Sequence, residues 1–225
     1  RWRRGSCRWW SPVPDPAVPV GGRAKRLFDL AVALPLAVAL TPAMAAIAWW
    51  VRRDSPGPAI YRQERIGFAG RPFTMLKFRT MVVGAERIGA GIAVSDGDDR
   101  ITRAGRALRR LSLDELPQLW NVVRGDMSLV GPRPTVAFQV AAYDARQRGR
   151  LRARPGLTGL AQVRGRAGIP WSERIEIDLE YVARQSLRLD LAILARTVVV
   201  VLRRRGTYKG PRGGFDLPLP GPDRH

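Results

Sequence analysis

Residues 30–51 read LAVALPLAVALTPAMAAIAWWV, 22 consecutive positions without a charged side chain. Alanine and leucine dominate, and both are strong helix formers. A straight helix of that length extends about 33 Å, enough to cross the hydrocarbon core of a bilayer. The run is too long and too rich in proline for a cleaved secretion signal. Pro35 and Pro42 sit inside it. Each removes a backbone donor and bends the axis, and Thr41 offers a hydroxyl to a carbonyl freed in the bend. Basic residues flank both ends: Arg23, Lys25 and Arg26 before the run, Arg52 and Arg53 after it. A spanning helix needs one basic flank, so two favour a re-entrant helix broken at Thr41-Pro42, with both ends on the cytoplasmic side. A kinked spanning helix is the competing reading.

Outward from that helix, residues 1–24 form a basic, Pro-rich tail. Trp2, Trp9 and Trp10 lie there among Arg1, Arg3, Arg4 and Arg8, which suits either a membrane interface or disorder. Residues 25–53 make the membrane helix and 54–205 one compact domain. Turn residues at 53–58 precede two expected short strands, Ala59–Gln63 and Pro72–Phe78, around a Gly67–Gly70 turn. Gly84–Asp99 reads as a loop. Helices are expected over Ile101–Leu111, with Arg103, Arg106 and Arg110 on one stripe, and over Leu116–Val123 and Val136–Leu151. Gly131-Pro132-Arg133-Pro134 reads as a rigid turn. Trp171–Arg184 is amphipathic, and Leu187–Arg205 is very apolar yet too interrupted to span, so it reads as core or interfacial, with Arg203-Arg204-Arg205 near head groups. Residues 206–225 are a flexible tail. The fold class is helix-rich α/β: a re-entrant membrane helix, a compact cytosolic domain with a short β-hairpin, and interfacial amphipathic helices.

Composition narrows the chemistry. Lys plus Arg is 39 against 19 acidic residues, a formal balance of +20, which favours anionic partners such as nucleic acid, anionic lipid or phosphorylated substrates. Cys7 is the only cysteine and His225 the only histidine. That excludes disulfide frameworks, Cys/His zinc sites and His-dependent triads. Carboxylates, Lys, Arg, Ser, Thr and Tyr are left to do any chemistry. No P-loop, complete Gly-x-Gly-x-x-Gly, zinc-finger or RNA-recognition signature occurs.

The informative block is RRLSLDELPQLWN at 109–121. Pro117 fits the first turn of a helix, which places Asp114 near an N-cap. Asp114 and Glu115 are then explained as a cap and a first-turn acid. The same place suits catalysis. Helix-end amides with Arg109 and Arg110 would keep Asp114 ionised, and an ionised carboxylate among cations can attack phosphorus. Phosphoryl transfer also needs positive charge around the moving group. Lys77, Arg79, Arg109 and Arg133 are the candidates, Arg133 being pre-aimed by a proline on each side. Singly, each is as well explained by a surface ion pair.

Four segments in order, KFRTM (77–81), LDELPQL (113–119), GDMSLVGPRP (125–134) and RPGLTG (154–159), make the chain resemble the bacterial sugar transferases, monotopic polyprenyl-phosphate phosphoglycosyltransferases. The resemblance runs from Lys25 to Leu202. It implies transfer of a phospho-sugar from a UDP-sugar to polyprenyl (undecaprenyl) phosphate by a ping-pong route, with release of UMP. It assigns Asp114 as the covalent nucleophile and Glu115 as the associate of magnesium, Asp114 sharing that metal. Lys77, Arg79, Arg109 and Arg133 become substrate phosphate ligands, and Thr41-Pro42 matches the family's Ser-Pro helix break. It further implies a place in the bacterial inner membrane with the catalytic domain on the cytoplasmic face, membrane lipids as partners, no nucleic acid, and permits a homodimer. The glycan would be an exopolysaccharide, O-antigen or related polymer. A membrane-tethered basic protein binding lipid or nucleic acid without catalysis is the competing reading, and it leaves the Asp-Glu pair unexplained.

Overall fold

A computed structural model describes residues 18–85, 97–165 and 169–202. The tail before residue 18, with its tryptophans, most of the Gly84–Asp99 loop, Arg203-Arg204-Arg205 and the C-terminal tail lie outside the described residues.

Helix α1, Gly22–Asp54, contains both Pro35 and Pro42. Pro42 has no N–H for the carbonyl of Val38. The Thr41 hydroxyl donates instead to Ala37 O at 2.8 Å, one residue short of that freed carbonyl. One stripe of α1 is buried along its whole length: Lys25, Asp29, Ala33, Ala37, Met44 and Val51. The spacing of four and then seven residues is that of a single helix face. Ala33 and Ala37 are small enough for close approach, and they share a core with Leu119, Val122, Met127 and Leu129. The other side is also apolar but exposed, including Leu27, Leu34, Val38, Trp49 and Trp50. An apolar face this long is costly in water and suits a lipid neighbour.

The charges before α1's apolar run are not a simple membrane flank. Lys25 is buried and bridges Asp29 Oδ1 at 3.1 Å and Asp190 Oδ2 at 3.0 Å. The Tyr181 hydroxyl donates to the same Asp190 at 2.8 Å and lies 3.0 Å from Val130 O. Arg26 donates to Val122 O and Val123 O at the end of another helix. Two of the three cations before the run, which the hairpin topology counted as a flank, are therefore internal clamps. They tie the start of α1 to the globular body. The end of α1 is tied there too: Val51 packs with Phe78, Ala104 and Leu108, and Asp54 Oδ2 accepts from Ala104 N at 2.9 Å.

Strands β1 (Ile60–Ile66) and β2 (Pro72–Phe78) form the expected antiparallel hairpin, β1 reaching three residues further than expected. The connecting turn needs two left-handed residues, Ala69 and Gly70, which glycine at the second position eases. Helix α2 (Arg103–Arg110) and helix α3 (Gln118–Arg124) follow. Asn121, fully buried on α3, accepts from Leu76 N at 3.0 Å and donates to Thr74 O at 2.7 Å, pinning β2 to that helix.

The sheet at Ser128–Val130 (β3) and Gly156–Thr158 (β4) is a parallel pair that was not expected. Three residues are too few for a period to show. The pairing brings the Gly131–Pro134 turn beside Arg154-Pro155-Gly156. A Cβ on Gly131 would lie 2.3 Å from Arg154 O, so only glycine fits there. The expected helix over Val136–Leu151 is instead two pieces, α4 (Ala137–Ala141) and a 3-10 turn at Gln147–Arg152. Asp144 and Gln147 exchange side-chain and backbone hydrogen bonds at 3.1 and 2.7 Å, a reciprocal cap that restarts the chain in a new direction. Helix α5 (Leu160–Arg164) leads to α6, found at its expected bounds Trp171–Arg184, and to α7 (Leu187–Leu202). Leu191, Val198 and Val199 on α7 are exposed.

Candidate active site

Asp114 and Glu115 lie on a single 3-10 turn, Leu113–Glu115, entered through Ser112 in a left-handed conformation. The N-cap of α3 is Pro117, three residues later, and no side chain caps that helix. Asp114 is therefore near this cap, as expected, but it is not the capping residue, and the capping explanation of the acid is corrected.

Three of the four candidate cations converge on this turn. Lys77, near the end of β2, meets Glu115 Oε1 at 3.1 Å. Arg133, from the proline-framed turn after β3, meets the same oxygen at 2.9 Å. Arg109 comes from the last turn of α2, with its Nε donating to Thr80 Oγ1 at 2.8 Å. Gly105 makes that placement available: a Cβ there would sit 2.0 Å from Thr80 O, so α2 can lie directly against the strand exit. Three elements far apart in the chain thus surround two adjacent carboxylates with positive charge.

Arg79 does not join them. Its guanidinium is 5% exposed and donates to Pro58 O, Pro56 O, Ser55 O and Ser55 Oγ at 2.7 to 2.9 Å, with Val51 O and Gly57 O at 3.4 Å. All five of its donors are engaged in closing the C-terminal end of α1. Arg79 is removed from the phosphate-binding set. Lys77 and Arg79 read alike as the two cations of one short basic segment, but Arg79 lies just past the end of β2 at Phe78 and faces the carbonyls at the end of α1. Arg79→Gln is expected to cost on the order of 3 kcal/mol in unfolding free energy, because several buried carbonyls lose their donor. Its Michaelis constant for the sugar donor should stay within about twofold of wild type. A normal melting temperature with weakened substrate binding would return Arg79 to the site.

The two carboxylates are in unequal environments. Burial opposes ionisation of Glu115, but Lys77 and Arg133, by charge and hydrogen bonds, outweigh it and hold the carboxyl far below its ordinary range. Burial and then the negative charge of Glu115 push Asp114 upward, against the partial opposition of Lys77, Arg109 and Arg133. The expected ionisation of Asp114 by Arg109 and Arg110 is thus only half met. Arg109 acts on it, Arg110 is exposed on α2, and Glu115 takes most of the cationic field.

Among the described residues no cluster of three or more Asp, Glu, His or Cys side chains exists. A divalent cation with a self-sufficient protein cage is therefore not what these residues offer. One or two carboxylates with substrate phosphate completing the shell is an arrangement that suits magnesium. Sequence reading missed the residues that hold the ring in place, Thr80 and Asn121. An amide set between Leu119-Trp120 and Val122-Val123 was the available signal for the second.

Paired acids inside a ring of Lys and Arg, beside a long lipid-suited helix, define a membrane-associated enzyme acting on phosphorylated substrates. The chain belongs to the bacterial sugar transferase family, whose model matches residues 20–204. It is 47% identical over 206 residues to the UDP-glucose:undecaprenyl-phosphate glucose-1-phosphate transferase of Caulobacter vibrioides, covering 88% of this chain and 75% of that protein. It is 40% identical over 204 residues to the exopolysaccharide production protein ExoY of Sinorhizobium fredii, covering 84% and 90%. To the UDP-galactose-lipid carrier transferase of Erwinia amylovora it is 44% identical over 198 residues, which are 82% of this chain but 41% of that longer protein. The chain is a phosphoglycosyltransferase by this membership, and the non-catalytic reading is set aside.

Proposed function

We propose that this protein moves a sugar 1-phosphate from a UDP-sugar to undecaprenyl phosphate or a related polyprenyl phosphate, in two steps through Asp114. The convergence of Lys77, Arg109 and Arg133 on the Asp114-Glu115 turn carries this reading. In the first step an Asp114 carboxylate oxygen attacks the phosphorus that bears the sugar. The bond from that phosphorus to the bridging oxygen breaks, and UMP leaves with the electron pair. In the second, an oxygen of the lipid phosphate attacks the same phosphorus, the bond to Asp114 breaks, and the carboxylate is restored. Lys77, Arg109 and Arg133 offset charge on the transferring group. Glu115, with Asp114, would hold magnesium, which would supply further positive charge toward the transferring phosphate. The activities for which the relatives are named support glucose- or galactose-containing donors and a place at the start of exopolysaccharide assembly.

Purified protein with magnesium, a panel of radiolabelled UDP-sugars and polyprenyl phosphate should pass label into lipid and release UMP in equal amount. A chelator should stop it. Absence of lipid product across the panel would end the proposal.

The re-entrant topology belongs to the same reading. Lys25 and Arg26 clamp one end of α1 to the body that Asp54 and Val51 clamp at the other. Both ends then share the cytoplasmic side, where UDP-sugars are made. Exposed Arg23 and Arg52, each changed to Cys in a Cys7→Ser background, should resist an impermeant maleimide in intact cells. Both should label once the membrane is opened. Labelling of one from outside would establish a spanning helix.

A further inference from the structure

Arg133 owes its place to more than its flanking prolines. Behind its turn lies a small cavity lined by Gly67, Pro132, Thr135, Arg150 and Pro155, so side-chain packing alone does not fix the turn. Hydrogen bonds do. Gly156 N donates to Pro132 O at 2.9 Å and Ile66 N to Thr135 O at 2.8 Å. Between them, Arg150 Nη2 donates to the backbone carbonyl of Arg133 itself at 3.1 Å.

Arg150 is an unusual choice for this task, being 2% exposed. It pairs with Asp178 on α6, which is equally buried. Its Nη1 donates to Tyr143 OH at 2.6 Å, and its guanidinium lies 5.6 Å from the ring centres of both Tyr143 and Trp171. A buried ion pair is poor value as plain stabilisation, since well-packed apolar residues usually do as well. What apolar residues cannot supply is a rigid donor to a carbonyl. The planar guanidinium divides its donors among Asp178, Tyr143 and the Arg133 backbone, so the first two set its plane for the third.

We propose that Arg150 is a positioning residue that, held by Asp178, fixes the Arg133 backbone and so aims the Arg133 guanidinium at Glu115 and at the substrate phosphate. The last step rests on the transfer reaction proposed above; the fixing of the turn does not.

A double-mutant cycle tests the aiming of Arg133. Wild type, Arg150→Lys, Arg133→Ala and the double variant are compared in kcat and KM for the UDP-sugar. Arg150→Lys should lower kcat/KM by on the order of tenfold to a hundredfold when Arg133 is present. In the Arg133→Ala background it should cost almost nothing more. Equal losses in both backgrounds would overturn the proposal, because a general loss of fold takes no account of Arg133. Hydrogen exchange tests the fixing of the turn without any activity. In Arg150→Lys and in the gentler Asp178→Asn, the amides of Ile66 and Gly156 should exchange at least about tenfold faster, with α3 amides unchanged. Unaltered exchange at both amides would overturn it as well. A wild-type protein inert in transfer would sink the reaction, and exchange would still decide the positioning.

Discussion

Asp114→Asn should abolish sugar-phosphate transfer, with a loss on the order of 10⁴-fold or more, as for removal of other covalent nucleophiles. An amide has no ionised oxygen to attack phosphorus, and its shape is nearly that of the acid it replaces. The same change should not weaken the fold. In the structure Asp114 is pushed up by burial and by Glu115 beside it. A carboxyl raised above its unfolded value binds protons more readily when folded, so its contribution to stability is lost as pH rises through its folded value. At neutral pH without metal, ionised Asp114 is therefore a net burden on the native state. Asn removes the charge and the repulsion with Glu115. Melting temperature at pH 7 should equal or exceed that of wild type while turnover vanishes. Turnover near normal would remove Asp114 as the nucleophile, whereas joint loss of turnover and melting temperature would make its role structural.

That separation of activity from stability bears on what the sequence made legible. The hairpin, α6 and the apolar helix were read from patterns within each segment, because period and turn residues are local properties. Lys77, Arg109 and Arg133 were singled out by type and by their neighbours, and all three do meet at the Asp-Glu turn. The errors share a cause of the opposite kind. Arg79 looks like a second Lys77 until the carbonyls at the end of α1 are seen around it. Lys25 and Arg26 look like a membrane flank until Asp190 and the end of α3, more than 90 residues away, are brought to them. The parallel pair β3 and β4 depends on two three-residue segments finding each other across the chain. A cation's sequence neighbourhood shows that a charge is there; only the tertiary partner shows whether its donors are already engaged.

Arg133 is the cation for which this distinction has the largest consequence. Its Nη2 reaches Glu115, yet its side chain remains 35% exposed, so part of the guanidinium is open to a ligand. Lys77 shares the same Glu115 oxygen. Removing Arg133 therefore leaves Glu115 paired, and the fold should lose only about 1 kcal/mol or less, as for a partly exposed ion pair. Phosphate stabilisation has no such replacement. Arg133→Ala is expected to lower kcat by about 10² to 10³-fold, the range seen when a preorganised donor to developing charge is removed. Arg133→Lys should recover only part of the loss, since an ammonium keeps the charge but not the planar fork. Steady-state kinetics of the two variants beside their melting temperatures decide the matter. A normal rate in Arg133→Ala would move phosphate recognition to Lys77 and Arg109. Full rescue by Lys would mean that charge alone is needed, and that the two prolines aim nothing.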